Sequence, residues 1–151
     1  MVASGCSYIN LSIESGSDKM LQCMQRGYAV AQVRQALDSL EGSGIPYGAS
    51  LMIGAPGETP ETVAESLALI DSYSIPSGTW VTIGICLWTH HQQMLETARR
   101  EGQFTQDKEL FSGVNYMSPE LPRDYMVELI ATLQARQGYT VQVNKPFAEY
   151  R

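Results

Sequence analysis

The chain has 151 residues, of which 44% are hydrophobic and 17% charged, a composition typical of one globular domain. The net charge of -6 includes only ten basic residues, scattered along the chain, which argues against nucleic acid binding. The sequence shows no run of 18 apolar residues and no leader-like amino terminus, so we expect neither a membrane span nor a signal peptide. Three cysteines without short spacing (Cys6, Cys23 and Cys86) are typical of reduced thiols and predict a cytoplasmic protein.

The first predicted elements are a strand and two helices. Apolar alternation over 8–13 predicts a strand that stops at Glu14. A short helix follows, which we expect Ser17 to cap and Gly27 to end. Apolar residues at helical spacing over 30–40 predict the second helix.

Two further strand–helix units come next. Residues 45–54 predict a second strand, and Thr59 followed by Pro60 is a strong helix start, since threonine caps and proline suits the first helical position. Residues 79–88 are rich in β-branched and aromatic side chains and predict one unbroken third strand. The helix that follows is expected to end at Gly102.

The last part of the sequence is less regular. Residues 111–122 predict a long irregular link, and a final helix with one apolar face is expected from about 122 to 137. Residues 139–151 predict a short edge strand and a terminal arm. We therefore expect two regions: 1–121 with the strand–helix units, and 122–151 with the terminal helix and tail.

The alternation of strands and helices predicts an α/β fold with parallel strands and right-handed crossovers. Ligand sites in such sheets lie beyond the carboxyl ends of the strands. Glu14, Gly54 and residues 86–91 follow three consecutive strands and are expected to share one rim. Glu14 is either a solvated strand-end acid or an acceptor for ligand hydroxyl or ammonium groups, and Gly54 serves at least a tight turn.

Several other residues invite a functional interpretation but have a simpler one. His90 and His91 are adjacent, so their side chains point in different directions, and no third ligand lies nearby in sequence; we predict no metal site. Cys86 is expected to be a small buried apolar residue. Trp80 and Trp88 are expected to contribute to packing rather than to stack on a ligand.

Two segments together resemble a known family: IESGSDKMLQCMQRGY (13–28) and GIPYGASLMIGAPGETPETVAESL (44–67). They resemble radical S-adenosylmethionine (SAM) enzymes, and most of all the branch that often carries an upstream cobalamin-binding domain. There, one strand ends in Glu-Ser-Gly-Ser and the next in Gly-x-Pro-Gly-Glu-Thr. The resemblance extends over roughly residues 8–121. It implies half of a (β/α)6 partial TIM-type barrel, namely strands four to six.

The resemblance also implies cofactors and contact residues. The family binds SAM and a four-iron four-sulfur cluster held by a Cys-x-x-x-Cys-x-x-Cys loop, a motif this sequence lacks, so the chain alone is not expected to assemble the cluster. By the resemblance, Glu14 contacts the ribose or amino group of SAM, with Ser15 a second candidate. Arg26 reaches the carboxylate, and Ile53 and Gly54 pack against the adenine. Cobalamin would bind through an absent upstream domain.

The resemblance implies a fragment of a radical SAM oxidoreductase or methyltransferase acting on an unidentified small molecule, with no catalytic residue of its own. Residues 88–91 replace the family's Pro-Gly-Thr-Pro, which leaves the substrate side open. The alternative is a half-barrel binding or assembly module, or a truncated inactive product. We expect the chain to pair with a missing amino-terminal half-barrel or with itself, since one apolar strand face should be left open. That face is expected to carry residues such as Leu11, Ile13, Leu51 and Ile83.

Overall fold

The computed structural model describes residues 5–87, 92–102, 114–145 and 147. Strands and helices alternate along most of this length. The strands are β1 (Ile9–Glu14), β2 (Tyr47–Ile53), β3 (Thr79–Ile83), β4 (Ile85–Leu87), β5 (Val114–Tyr116) and β6 (Tyr139–Val143). The helices are α1 (Asp18–Cys23), α2 (Val30–Glu41), α3 (Pro60–Asp71), α4 (Gln92–Arg100) and α5 (Arg123–Ala135).

The main sheet has four parallel strands in the order β1-β2-β3-β6. This confirms the predicted α/β class with parallel strand–helix units. The predicted terminal edge strand is also confirmed, since β6 pairs with β3 at the margin of the sheet. Residues from both predicted regions share one core, because Met126 and Leu133 of α5 pack in the same cluster as Ile13 and Leu51.

The prediction of one unbroken third strand was wrong. The strand ends at Ile83, and Gly84 has a φ of 81°, a left-handed conformation that turns the chain out of the sheet. The continuation, β4, pairs antiparallel with β5 in a separate ribbon, so part of the predicted irregular link is a strand. The third strand therefore reaches the rim at residues 83–84 and not at 86–91. Residues 88–91 and the Cys86 side chain lie outside the described part, so their predicted roles stay predictions.

The helix starts were predicted with mixed success. Thr59 caps α3 as predicted, with its side chain accepting a hydrogen bond from the Thr62 N–H. Ser17 stands at the start of α1, but its side chain makes no capping bond, so that detail was wrong. The predicted apolar face of α5 is confirmed, because Met126, Leu129, Ile130 and Leu133 are all buried.

The two faces of the sheet differ in polarity. Ile13, Leu51 and Ile83 are fully buried in the cluster that includes the apolar faces of α2, α3 and α5. Leu11 is only partly buried but packs against the same cluster. The expectation that this set stays open was therefore wrong, because the chain's own helices cover it. The opposite face borders an open groove of ≈ 540 Å³ lined largely by polar side chains.

The open face also corrects the role expected of one tryptophan. Trp80 is 47% exposed and lines the groove rather than packing in the core. Trp88 is outside the described residues. Across the described ranges, no helix combines the length and apolar character needed to span a membrane.

Candidate functional site

Glu14 ends β1 in a local irregularity of the sheet. The register with β2 shifts between Ser12 and Glu14, and Glu14 has a φ of 68°, which is uncommon for any residue except glycine. Its side chain lines the groove on the open face. The irregularity therefore directs a carboxylate towards the open side of the sheet, at the rim where the sequence predicted it.

Arg26 lies beside Glu14. An Nη2–Oε1 distance of 3.3 Å joins the two side chains, whose exposed fractions are 38% and 15% for Arg26 and Glu14. The turn after α1 holds Arg26 in place, because its N–H donates to the Leu21 carbonyl at 2.8 Å. Two of the five predicted site residues therefore form an ion pair. Since the pair is partly exposed, we expect it to add at most about 1 kcal/mol to stability.

Ser15 points away from this pair. It is fully buried, and its hydroxyl lies 2.9 Å from that of Ser66 on α3. The N–H of Gly16 donates to the same Ser66 oxygen at 2.8 Å. The Ser15 side chain thus braces the loop against α3, and the geometry offers no support for its predicted cofactor contact.

Gly16 is needed for that close approach. A Cβ at Gly16 would lie 2.6 Å from the Cα of Ser66 and 2.9 Å from the Glu65 carbonyl oxygen. These are backbone atoms of a helix and cannot move aside cheaply. The Glu-Ser-Gly-Ser segment therefore ends β1 and also packs closely against α3.

Ile53 and Gly54 end β2 in a buried position. The Ile53 carbonyl accepts a hydrogen bond from Gly84, and the Gly54 carbonyl accepts one from Ser118. The N–H of Gly54 donates to Glu58. Their polar backbone groups are therefore largely hydrogen-bonded within the protein. At this end of β2, the side chain that faces the open side of the sheet is that of the preceding residue, Met52.

Glu58 supports the end of β2, and the sequence reasoning did not single it out. It is fully buried, and its Oε2 accepts hydrogen bonds from the N–H groups of Gly54 (2.5 Å) and Ala55 (3.1 Å). Its Oε1 has no hydrogen-bond partner within the described ranges. Burial raises the pKa of Glu58 to about 7, although the two backbone donors act in the opposite direction. An acid four residues after Gly54 in the quoted motif was the signal that could have found it.

A second depression opens at the same rim. This cleft of ≈ 320 Å³, which we call the methionine cleft, is bounded by residues from six parts of the fold. Its lining residues are Met24, Arg26, Met52, Thr82, Gly84, Ile85, Met94 and Asn144. Sequence reasoning did not bring these methionines together, because they are far apart in the chain.

The described cysteines are not arranged as metal ligands. Cys6 and Cys23 are free, and no group of three His, Cys, Asp or Glu residues within the described ranges could hold a metal ion. The Cys23 thiol donates to the Pro56 carbonyl at 3.2 Å, and burial raises the pKa of this thiol. Among the described residues, the Cys23 thiol is thus engaged with a backbone carbonyl. His90 and His91 lie outside them.

Comparison with known proteins agrees with the resemblance over the first part of the chain. The sequence model of the Radical SAM superfamily matches residues 1–70. This range contains Glu14, Arg26, Gly54 and Glu58. The resemblance that the sequence suggested for residues beyond 70 stays a prediction.

Individual relatives share the same partial coverage. A threonylcarbamoyladenosine tRNA methylthiotransferase of Xenopus laevis is 33% identical over 73 residues, which make up 47% of this chain and 13% of that protein. The protein of that name in Homo sapiens is 32% identical over 73 residues, 47% of this chain and 13% of its own length. A tRNA-2-methylthio-N(6)-dimethylallyladenosine synthase of Halorhodospira halophila is 31% identical over 75 residues, 48% of this chain and 16% of that protein. The chain thus matches a small part of each relative.

Proposed function

We propose that the chain is part of a radical SAM enzyme and forms one wall of its SAM site, on the premise that residues 1–70 match the sequence model of the Radical SAM superfamily. The observation that carries the proposal is the Glu14–Arg26 pair on the open side of the rim. A carboxylate and a guanidinium 3.3 Å apart match a ligand that carries hydroxyl, ammonium and carboxylate groups.

Each residue has a distinct task in this proposal. Glu14 accepts hydrogen bonds from the ribose or amino group, and Arg26 neutralises the carboxylate. Met52 contributes an apolar surface to the adenine, beside the predicted residues Ile53 and Gly54, which act by fixing the strand end. In the family, SAM and its four-iron four-sulfur cluster supply reductive cleavage and radical chemistry, and the protein supplies binding, orientation and exclusion of water.

The parts that this chain lacks have to come from elsewhere. We propose that a missing amino-terminal half-barrel supplies the cluster ligands and pairs with the outer edge of β1, which has no neighbouring strand among the described residues. Self-association through the same edge stays a prediction, and light scattering over a hundredfold dilution tests it. Cobalamin also stays a prediction, because the names of the relatives speak of methylthio transfer and not of that cofactor.

The tRNA substrates in the relatives' names are not carried over to this chain. The shared segment is the part that we assign to the cofactor, and the net charge of -6 does not favour a phosphate backbone. Hydrogen abstraction and methyl transfer both stay open as outcomes of the radical chemistry.

Replacement of Glu14 by glutamine is expected to weaken SAM binding by roughly 10- to 150-fold. The change keeps the shape and removes the charge, and a hydrogen bond to a charged group is worth about 1.5–3 kcal/mol. Isothermal titration calorimetry of the full chain measures it. Glu128→Gln, on the exposed side of α5, removes the same charge elsewhere and should leave the affinity unchanged.

A third variant separates binding from folding. Glu14→Gly removes the carboxylate but suits the φ of 68°, so its thermal stability should equal or exceed that of the unchanged protein while SAM binding is lost. Equal binding by all variants would place SAM at another site. No binding by the unchanged protein would favour the alternative of a non-catalytic half-barrel module, which the buried and internally bonded Gly54 also supports.

A further inference from the structure

We propose that the methionine cleft binds a small, largely apolar molecule that carries one anionic group, and that Arg26 receives that group. The inference rests on the proposed function, because it assigns this cleft to the substrate of the same radical SAM reaction. It adds the chemical class of the ligand, which neither the family match nor the relatives' names give for this chain.

The wall of the cleft is apolar and adaptable. Met24, Met94 and Ile85 are only 6%, 8% and 5% exposed, and Met52 is partly exposed beside them. These four residues come from the end of α1, from β2, from α4 and from β4. Methionine side chains are flexible and polarizable, and their sulfur atoms contact aromatic rings favourably. Three methionine side chains around one cleft therefore favour a flat or irregular apolar ligand.

The polar groups of the cleft are few. Arg26 is the charged residue among the described lining, and its side chain is 38% exposed. Arg26 carries five N–H donors; Glu14 and, in the proposed function, the SAM carboxylate use some of them, and the others remain for the anionic group of the substrate. The Thr82 side chain also lines the cleft and adds a neutral donor and acceptor.

Asn144 has a different part. Its Nδ2 donates to the Gly84 carbonyl at 2.9 Å, and its Oδ1 accepts from Gln142 at 3.1 Å. Both ends of the side-chain amide are therefore bonded within the protein. Asn144 forms a fixed wall at the end of β6 rather than a recognition group, so the ligand meets one cation and one hydroxyl.

The volume of the cleft and the charge of its lining further limit the chemical class of the ligand. A volume of ≈ 320 Å³ lies at the lower end of the range of about 300–1,000 Å³ that is usual for small-molecule pockets. A nucleic acid would need several cations along its phosphates, and the described lining offers Arg26. One cation above an apolar floor suits a single carboxylate, sulfonate or phosphate on an apolar body.

The test uses the full chain labelled with 13C at the methionine methyl groups and two probes, indole-3-acetate and indole-3-acetamide, at millimolar concentration. The probes share their ring and differ in charge. We expect both to shift the methyl signals of Met24, Met52 and Met94. The signal of Met126, which is fully buried on α5 in a different cluster, should not shift. The acetate should bind about five- to tenfold more tightly, as expected of a charged hydrogen bond at a half-exposed group.

Two arginine variants identify the anion contact. Arg26→Gln should abolish the preference for the acetate while the ring still shifts the three methyl signals. Arg34→Gln, on the exposed side of α2, should keep the preference. Equal affinity of the unchanged protein for both probes, or shifts at other methionines alone, would overturn the proposal.

A glutamate variant separates this proposal from the SAM site. Glu14→Gln frees Arg26, so it should strengthen acetate binding while it weakens SAM binding. If probes bind as expected and SAM does not bind, the cofactor assignment fails and the cleft assignment stands. If SAM binds through Glu14 and the probes do not enter the cleft, the reverse holds.

Discussion

Replacement of Gly16 by alanine is expected to lower the free energy of unfolding by about 3 kcal/mol. The new Cβ would meet the Ser66 Cα at 2.6 Å, the Glu65 carbonyl oxygen at 2.9 Å and the Leu69 Cβ at 3.0 Å. Overpacking of this kind typically costs about 1–3 kcal/mol, and more where the opposing atoms are backbone. The displacement would also weaken the hydrogen bond from Gly16 to Ser66. Urea unfolding followed by circular dichroism measures the effect.

Gly27→Ala is the matched control. It makes the same chemical change in a loop where a Cβ would meet nothing within 4 Å, and its φ is not left-handed. We expect a change within about 0.5 kcal/mol there. Equal stability of the two variants would show that α3 can shift away from residue 16 and that its contact with the Glu-Ser-Gly-Ser segment tolerates a larger side chain. The loss of stability should be accompanied by weaker SAM binding, because the same loop positions Glu14.

Between about pH 4.5 and about pH 7, the free energy of unfolding of the unchanged protein is expected to fall by about 3 kcal/mol more than that of Glu58→Gln. Burial raises the pKa of Glu58 from 4.5 to about 7, so the folded state binds the proton more tightly than the unfolded state. Stability therefore falls as the pH rises between these two values and stays level above the upper one. Glutamine keeps an acceptor for the Gly54 and Ala55 N–H groups and does not titrate.

Urea unfolding of both proteins at pH 5 and pH 8 tests this expectation. The difference between their free energies of unfolding should change between the two pH values. The Lys19 ammonium, which donates to the Gly57 carbonyl at 3.0 Å, is the nearby cation that favours the ionised carboxylate. Glu128→Gln, exposed on α5, should show no such pH-dependent difference. A constant difference between the unchanged protein and Glu58→Gln would mean that the two backbone donors outweigh burial and keep Glu58 ionised throughout.

Local sequence predicted most of the parallel sheet and the rim. The alternation before Glu14 and the Thr59-Pro60 helix start were sufficient for β1 and α3, because both signals depend on neighbouring residues. The turn at Gly84 was missed because the flanking residues on both sides suit a strand, and only the φ of the glycine separates β3 from β4. Local patterning alone could not show which strand face the helices cover.

The candidate site shows the same limit. Glu14 and Arg26 lie within one short strand–helix segment, and the structure brings them together as an ion pair. Glu58 was quoted as part of a motif, but its burial depends on contacts with distant segments such as Ser118. Met94 and Asn144 approach Met24 only in the folded chain, so no local pattern could have grouped them.

The outer edge of β1, which has no neighbouring strand among the described residues, can pair either with a second copy of the chain or with a strand that extends the sheet. Two identical copies joined there about a two-fold axis have to run antiparallel, because such an interface uses the same strand in opposite directions. A strand that continues the present sheet in its own sense has to be parallel, as β2 is to β1. The symmetric pair would place its two Glu14 rims at opposite ends of one continuous sheet. Self-association through this edge would thus compete with the addition of a strand that completes the site.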